Sequence, residues 1–370
     1  ADKPPVAPCF NRFFLSTARS AESRVMVNKP PVIDAHTHIF CWGENPADGF
    51  LSQKTRNAWL TRLLLVMTGL RREAGETWSE KMRNRYLRHV RSSQLDYAVV
   101  LAQDAVYRAD GSRDDDATHF YVANDYVLRL AEECDKVVPG CSINPLRRDS
   151  LAELQRCREA GCRLVKVHTA IQGVDPSLAK FDPFYRLAAD LGVVLMFHTG
   201  YEHSCSVVSQ QFTDPRRLER VLDYGRPVIA AHCGTCAFFD PEDYYPHFVE
   251  MMGRYDNLYG DTAVMSGLVR WSSLKRLSRE VPKLRERIVH GSDYPLPPSR
   301  LPFLRRTGLF PPERKNPIDL DLRIKRSFEF SEGYTNRMAE LLGLANRAGS
   351  GAKRPTGETC PTAIAPSAPR

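Results

Sequence analysis

The sequence predicts an α/β protein built as a (β/α)8 TIM barrel. Two observations lead to this prediction: short β-branched runs recur along the chain, and amphipathic helical patterns follow most of them. Strands that alternate with helices form parallel sheets, and eight such units fit a closed barrel better than an open sheet. An open doubly wound sheet is the alternative, although no G-x-G-x-x-G motif follows the first run. The eight runs are residues 32–38, 97–103, 137–143, 163–168, 193–198, 228–232, 257–261 and 288–293.

The segments between the runs carry the chemistry of helix starts. Ser150, Asp182-Pro183 and Asp214-Pro215 each precede an amphipathic stretch that closes on a glycine. A short polar side chain accepts hydrogen bonds from the free N–H groups of the first turn, and proline is preorganised for the first helical position. These signals predict a helix after each of the third, fourth and fifth predicted strands, as a barrel requires.

One connection is much longer than the others and predicts a helical insert over residues 43–94. It follows the first strand and contains two helical stretches, residues 55–70 and 78–92. An insert at this place lies at the carboxyl end of the barrel strands, where substrate walls and lids are built. Residues 54–94 carry ten Lys/Arg against three Asp/Glu. This charge indicates a solvated helical face, with an acidic substrate as the alternative.

Composition sets the remaining boundaries and excludes several classes of function. We assign residues 31–345 to the barrel, residues 1–30 to an N-terminal extension and residues 346–370, rich in Gly, Ala, Pro, Ser and Thr, to a disordered tail.

The net charge of +8 is concentrated in the two tails and the insert, which argues against nucleic-acid binding. No apolar run is long enough to span a membrane. Ten scattered cysteines indicate a reduced, cytoplasmic protein.

Histidines collect where the predicted strands end. Of ten histidines, five close a strand: His36, His38, His168, His198 and His232. His36 and His38 are two residues apart, so their side chains point to the same face of one strand. Two imidazoles inside a barrel pack poorly unless a cation joins them, and the fifth and eighth strands supply a further nitrogen and a carboxylate. Hydrogen-bonded core histidines are the alternative.

The motifs around these histidines resemble those of a known enzyme family. VIDAHTHIF, GCRLVKVHT, VLMFHTG, VIAAHCG and RIVHGSDYP occur in the order found in the amidohydrolase superfamily. They are most similar to its amidohydrolase-related branch, which includes hydrolases and enzymes like aminocarboxymuconate-semialdehyde decarboxylase. The resemblance implies one divalent metal per chain, with Zn²⁺ expected and Mn²⁺ as the alternative. It implies that the metal ligands are His36, His38, His198 and Asp293, and that His232 lies beside the metal-bound water.

The leading functional hypothesis is a metal-dependent hydrolase. In this hypothesis Asp293 accepts the proton of an activated water, and His232 orients the water or the substrate. A non-oxidative decarboxylase, in which the metal and a basic residue hold a carboxylate, is the alternative. A barrel that only binds a metabolite is a third and weaker hypothesis. No Ser-His-Asp order and no phosphate-binding loop stands out.

Further residues at the strand ends are predicted to contact a small-molecule substrate. They are Lys166, His168, Trp42 and Tyr201. Lys166 has a second interpretation, because some amidohydrolases carry a carbamylated lysine on the fourth strand that bridges two metals. Asp34 is expected either to orient one of the metal-binding histidines or to hold the barrel floor. The apolar helical pattern of residues 336–344 leaves a homodimer open.

Overall fold

The computed structural model describes residues 30–70, 75–328 and 330–345. The predicted N-terminal extension, apart from Pro30, and the predicted disordered tail therefore lie outside the described residues. Ten strands are present. They are β1 (Ile33–His38), β2 (Gly49–Leu51), β3 (Tyr97–Leu101), β4 (Phe120–Val122), β5 (Val137–Ser142), β6 (Leu164–Val167), β7 (Val194–His198), β8 (Val228–Ala231), β9 (Leu258–Asp261) and β10 (Ile288–Val289).

Eight of these strands form one parallel sheet whose order along the chain is also its order in space: β1, β3, β5, β6, β7, β8, β9 and β10. The sheet closes between its first and last members. The amide of Ala35 donates to the carbonyl of His290 over 2.8 Å, and the amide of His38 donates to that of Tyr294 over 2.7 Å. The predicted (β/α)8 barrel is thus confirmed, and each of its strands lies within a predicted run.

The barrel interior below the mouth is apolar. One buried cluster contains side chains of seven of the barrel strands, among them Leu164 of β6 and Met196 of β7. Alternate residues of a strand share a face, so Leu164 points the same way as Lys166, and Met196 the same way as His198. The polar residues at the strand ends therefore stand on a packed floor of aliphatic side chains.

Fourteen α-helices are described, most of them between barrel strands. Thr77 begins α3 with a reciprocal cap, in which its hydroxyl accepts from the Glu80 amide while the Glu80 carboxylate accepts from the Thr77 amide. The helices are α1 (Gln53–Asn57), α2 (Trp59–Met67), α3 (Trp78–Ser92), α4 (Asn124–Glu133), α5 (Ser150–Glu159), α6 (Thr169–Gln172), α7 (Asp182–Asp190), α8 (Glu219–Leu222), α9 (Tyr245–Arg254), α10 (Trp271–Leu277), α11 (Pro282–Arg285), α12 (Leu304–Thr307), α13 (Pro317–Arg326) and α14 (Arg337–Leu341).

The insert after β1 differs in detail from the prediction. The second helical stretch has the predicted bounds, but the first is divided at Ala58, whose extended backbone separates α1 from α2. The insert also contributes β2, which pairs antiparallel with β4 from the connection between β3 and β5. Three-residue strands carry too little periodicity for the sequence pattern to reveal them.

The C-terminal helix α14 packs inside the chain. Its Met338 and Ala339, together with Leu342, join the apolar cluster of the barrel interior. The apolar residues of this helix therefore pack against side chains of the barrel strands. Among the described residues, no helix combines the length and the apolar character needed to cross a membrane.

A buried ion pair supports the last strand from outside the barrel. Lys325 of α13 is fully buried; its ammonium group donates to the carbonyl of Gly291 and lies 2.8 Å from a carboxylate oxygen of Asp321. Burial raises the pKa of Asp321 to about 6, even though Lys325 opposes that shift. Gly291 itself has no room for a side chain, since a Cβ there would lie 2.9 Å from the Cβ of His36.

We predict that Lys325→Met strongly destabilises the fold. The substitution leaves the Asp321 carboxylate buried without its counter-charge, which costs about 3–5 kcal/mol of unfolding free energy. Urea unfolding followed by circular dichroism measures the loss, and the double variant Lys325→Met/Asp321→Leu is expected to recover part of it. Lys283→Met, which removes the exposed pair with Asp256, is the control and is expected to cost at most about 1 kcal/mol. An equal effect of the two single variants would contradict the prediction.

Candidate metal centre

The five histidines that end predicted strands form one continuous cluster at the barrel mouth. The ring centroid of His36 lies 5.0 Å from those of both His38 and His232. The His198 ring lies 4.8 Å from that of His232 and stacks on that of His168 at 3.9 Å. The parallel strands bring their carboxyl ends together, and this convergence gathers residues that are up to 196 positions apart in the chain.

Three ligand atoms converge at the junction of β1 and β10. The Nε2 atoms of His36 and His38 are 3.1 Å apart, and Oδ1 of Asp293 lies 3.6 Å from the former and 3.3 Å from the latter. The amide of Asp293 donates to the carbonyl of His36 over 2.8 Å, so the closure of the barrel itself sets this spacing. Asp293 adopts a left-handed backbone with φ of 64°, a conformation that is costly for aspartate and is found preferentially at functional sites.

The carboxylate of Asp261, at the end of β9, fixes the orientation of His36. Its Oδ2 lies 2.7 Å from Nδ1 of His36, and its Oδ1 accepts the amides of His232 and Ala263. Because the carboxylate accepts, the proton of His36 is on Nδ1, and Nε2 presents its lone pair to the other two ligand atoms. Asp261 lies at the end of a predicted strand, but the sequence alone assigned it no function. Its acidic side chain at a strand end was the signal that could have identified it as the partner of a histidine.

The donor set fits a divalent metal. Three atoms that can each offer a lone pair to a metal are held within 3.6 Å of one another in a buried site, and a proton or a cation between them is needed to offset their repulsion. Two neutral imidazoles and a carboxylate are the donors that zinc and similar borderline metals accept. Burial raises the pKa of Asp293, but the hydrogen bond from His38 and the nearby histidines outweigh it and lower that pKa overall, so the carboxylate is ionised.

A second group contains His168, His198 and Glu202. The Ile171 amide donates to Nδ1 of His168, so the ring proton is on Nε2 and is donated to Oε2 of Glu202 over 3.0 Å. Nε2 of His198 lies 3.6 Å from the same oxygen and has no hydrogen-bond partner. His168 and Glu202 therefore satisfy each other, whereas the buried Nε2 of His198 remains available as a ligand.

Glu202 did not figure among the predicted site residues. It lies in the loop after β7, four residues beyond His198 and directly after Tyr201, one of the predicted substrate contacts. An acidic residue directly after a strand that ends in a histidine was the signal that could have identified it. The structure also separates His198 from the first group, since it contacts His168 and Glu202 more closely than His36 or His38.

His232 lies between the two groups in a strained turn. Its φ is 64° and that of Cys233 is 53°, two consecutive left-handed residues directly after β8. Nδ1 of His232 donates to the carbonyl of Ala263 over 3.2 Å, which leaves Nε2 as an acceptor. Burial lowers the pKa of His232 to about 4, so the ring is uncharged at neutral pH and its Nε2 can accept a hydrogen bond.

Lys166 is the buried cation nearest the first group. Its ammonium nitrogen lies 3.5 Å from Nε2 of His36, and the side chain is fully buried. Burial lowers the pKa of Lys166 to about 8, while the carboxylates of Asp261 and Asp293 act in the opposite direction. The group is therefore mostly protonated at neutral pH and supplies a positive charge beside the candidate metal centre.

The other predicted residues have different surroundings. Asp34 accepts the amides of His36 and Ser292 through Oδ1, and it also accepts a hydrogen bond from the Ser292 side chain, so it ties β1 to the end of β10. Trp42 packs against Trp78 of α3 with ring centroids 5.4 Å apart. Tyr201 stacks on Tyr244 at 5.7 Å, and its carbonyl accepts from Arg270. Of the four predicted substrate contacts, Lys166 and His168 thus lie in the two groups, whereas Trp42 and Tyr201 pack against other side chains.

Comparison with known proteins agrees with this arrangement. A family model described as amidohydrolase matches residues 33–322, which span the barrel from β1 into α13. The chain belongs to the amidohydrolase family. No curated protein matches the sequence significantly.

Solved structures match the chain at low sequence identity. An uncharacterised TIM-barrel protein from Bordetella bronchiseptica is 18% identical with a TM-score of 0.55, covering 84% of this chain and 99% of its own. A protein assigned as a 2-pyrone-4,6-dicarboxylic acid hydrolase from Pseudomonas putida is 14% identical with a TM-score of 0.51, covering 85% and 98%. A 2,6-dihydroxybenzoate decarboxylase from Rhizobium is 13% identical with a TM-score of 0.46, covering 85% and 99%.

We predict that Asp261→Asn weakens metal binding about 10- to 100-fold, the usual effect of losing the partner of a ligating histidine. The asparagine oxygen can still accept the two amides, but its NH₂ group then faces Nδ1 of His36 and forces the ring proton onto Nε2. Calorimetric titration of the metal-free protein with Zn²⁺ measures the change. Asp256→Asn, the same replacement at an exposed site before β9, is the control. An unchanged affinity in Asp261→Asn would contradict the assigned role.

Proposed function

We propose that the protein is a metal-dependent hydrolase that acts on a carbonyl group of a small molecule. The observation that carries this proposal is the convergence of the Nε2 atoms of His36 and His38 with Oδ1 of Asp293 within 3.6 Å. Membership of the amidohydrolase family supports the same interpretation. In a TIM barrel, residues at the carboxyl ends of strands are those that carry the chemistry.

One divalent ion, for which zinc is our proposal, would be held by His36, His38 and Asp293, with His198 as the fourth ligand. When bound, such an ion lowers the pKa of a coordinated water and polarises a carbonyl oxygen. Nε2 of His198 has no hydrogen-bond partner among the described residues, which supports its recruitment as a ligand. A single ion is favoured because His168 and Glu202 already pair with each other over 3.0 Å.

Asp293 and His232 are the proposed catalytic residues. The ionised carboxylate of Asp293 is suited to take a proton from water and to pass it to the leaving group. His232 is neutral and presents an acceptor, because its Nδ1 proton is committed to the Ala263 carbonyl. Its proposed role is to orient the attacking water by accepting a hydrogen bond from it. Both residues have a left-handed backbone, which costs some stability. Such strain occurs preferentially at functional sites, where the fold holds side chains in the positions that the reaction needs.

Lys166 is the proposed anchor for negative charge on the substrate. Its ammonium group is buried 3.5 Å from a proposed metal ligand, where the low dielectric strengthens its attraction for a carboxylate or for an oxygen that gains charge. His168, held by Glu202, forms the adjacent wall. The proposed substrate therefore carries a carboxylate or a carbonyl group at the end that enters the barrel.

A decarboxylase would use the same anchor to hold the carboxylate that it removes, so the two reactions require a direct test. Incubation of the zinc-loaded protein with a panel of lactones, amides and aromatic acids in ¹⁸O-labelled water distinguishes them. Incorporation of one labelled oxygen into the product supports hydrolysis. Release of CO₂ without label in the product would replace the proposal by the decarboxylase.

We predict that Asp293→Asn retains part of the metal and loses most of the turnover, by about 10²- to 10⁴-fold in kcat. The amide can still contact the ion through its oxygen, but it cannot accept a proton from water. Measurement requires metal content by elemental analysis together with steady-state kinetics on any substrate found in the panel. Asp256→Asn is again the control and is expected to behave as the wild type. Near-normal turnover in Asp293→Asn would defeat the assignment of the base.

A further inference from the structure

An apolar cavity lies between the insert and the barrel mouth. Its empty space amounts to about 720 Å³ when the part that is open to solvent is included. Phe40 and the facing rings of Trp42 and Trp78 form one side, and Leu64 and Leu65 of α2 form another. We refer to this space as the insert cavity.

Among the described residues, sixteen side chains line the insert cavity, and none of them is charged. Half of that lining comes from residues 54–94, whose described part carries eight Lys/Arg. These eight charged side chains lie outside the lining, which consists of aromatic and aliphatic groups with a few hydroxyls. Such a surface favours an uncharged apolar ligand, whose burial is stabilised in proportion to the area removed from water.

The insert cavity adjoins the candidate metal centre. Phe40 follows His38 by two residues, Pro295 follows Asp293 by two, and Ser204 follows Glu202 by two. Two residues of extended chain span about 7 Å, so the cavity wall begins within one side-chain length of the site. A molecule with its carbonyl end at the metal centre would have this space within about one side-chain length.

Helix α2 separates the cavity from solvent. Seven of its nine residues are apolar, yet none of them is buried. Leu64 and Leu65 face the cavity, whereas Leu63 and Val66 are 41% and 77% exposed on the outer side. Contact between an apolar ligand and the inner side of α2 would bury surface that the fold itself leaves accessible.

We infer that the insert cavity binds the apolar body of the substrate, so that the preferred substrates are amphiphilic carboxylates or carbonyl compounds. Their polar end meets Lys166 and the metal centre, and an alkyl chain or ring system fills the insert cavity. This inference rests on the proposed function for the polar end. The inference accounts for two features that occur together, a basic anchor inside the barrel and an uncharged aromatic wall above it. A small, highly charged substrate would not contact that wall.

The test is a series of straight-chain acids used as binding probes. Butanoate, hexanoate, octanoate and decanoate are titrated calorimetrically into the zinc-loaded full chain, below the concentrations at which they form micelles. Because each buried CH₂ contributes about 0.8 kcal/mol, the Kd is expected to fall by up to about fourfold per added CH₂. A Kd that does not depend on chain length overturns the inference.

Two neighbouring leucines provide matched variants. Leu64→Asp places a charge in the cavity wall and is expected to abolish the dependence on chain length. Leu63→Asp makes the same change on the exposed side of α2 and is expected to leave that dependence intact. If Leu64→Asp does not fold, Met82→Trp serves as the second variant, because it keeps the wall apolar but narrows the cavity. It is expected to raise the Kd of decanoate at least tenfold more than the Kd of butanoate. The same change of Kd per CH₂ in the wild type and in every folded variant overturns the inference.

Removal of the metal separates this inference from the proposed function. In chelator-treated protein the Kd of every acid is expected to rise by a similar factor, while the change per CH₂ is retained. A protein that binds no metal but keeps the chain-length dependence would refute the proposed function and support the cavity. Metal-dependent turnover of short substrates with no chain-length dependence would support the function and refute the cavity.

Discussion

The closure of the barrel between its first and last strands is the constraint on which the candidate site depends. Backbone hydrogen bonds from Ala35, His38 and Asp293 join β1 to the segment after β10, and they set the positions of the three ligand atoms. Gly291 permits this approach, because a side chain there would collide with His36. Asp34 strengthens the same junction by accepting amides from both segments. The site is therefore a property of the closed barrel and not of any single strand.

Around this junction, three of the five histidines are held in a defined tautomer by a partner. Asp261 places the proton of His36 on Nδ1, Glu202 accepts a hydrogen bond from Nε2–H of His168, and the Ala263 carbonyl accepts one from Nδ1–H of His232. The remaining ligand atoms face one another: Nε2 of His36 and of His38 with Oδ1 of Asp293, where a proton or a metal ion can lie between them, and the buried Nε2 of His198. Neutral histidines with defined tautomers are the state in which imidazole binds a metal, so the supporting residues determine the chemistry of the site as much as the ligands do.

The two ends of the proposed substrate would meet environments built by different parts of the chain. The barrel supplies the metal ligands and the buried ammonium group of Lys166, and the insert supplies an uncharged aromatic wall. A division of this kind lets a conserved scaffold keep its reaction centre while a loop insertion determines which molecule reaches it. The neighbours in structure space, at 18% identity or less, share the barrel, and identity at that level extends no conclusion to the substrate.

The sequence by itself determined the barrel, its eight strands and the strand ends at which polar residues gather, because hydrophobic periodicity and helix caps are local patterns. It also singled out His36, His38, His198 and Asp293 as expected metal ligands, through motifs that resemble those of the amidohydrolase superfamily, and the structure brings His36, His38 and Asp293 together. Only the tertiary structure decided which of these groups touch. Pairing of His168 with Glu202, the role of Asp261 in fixing a tautomer and the insert cavity all depend on distances between residues far apart in the chain, and those distances follow from strand register and loop path, which local pattern does not encode.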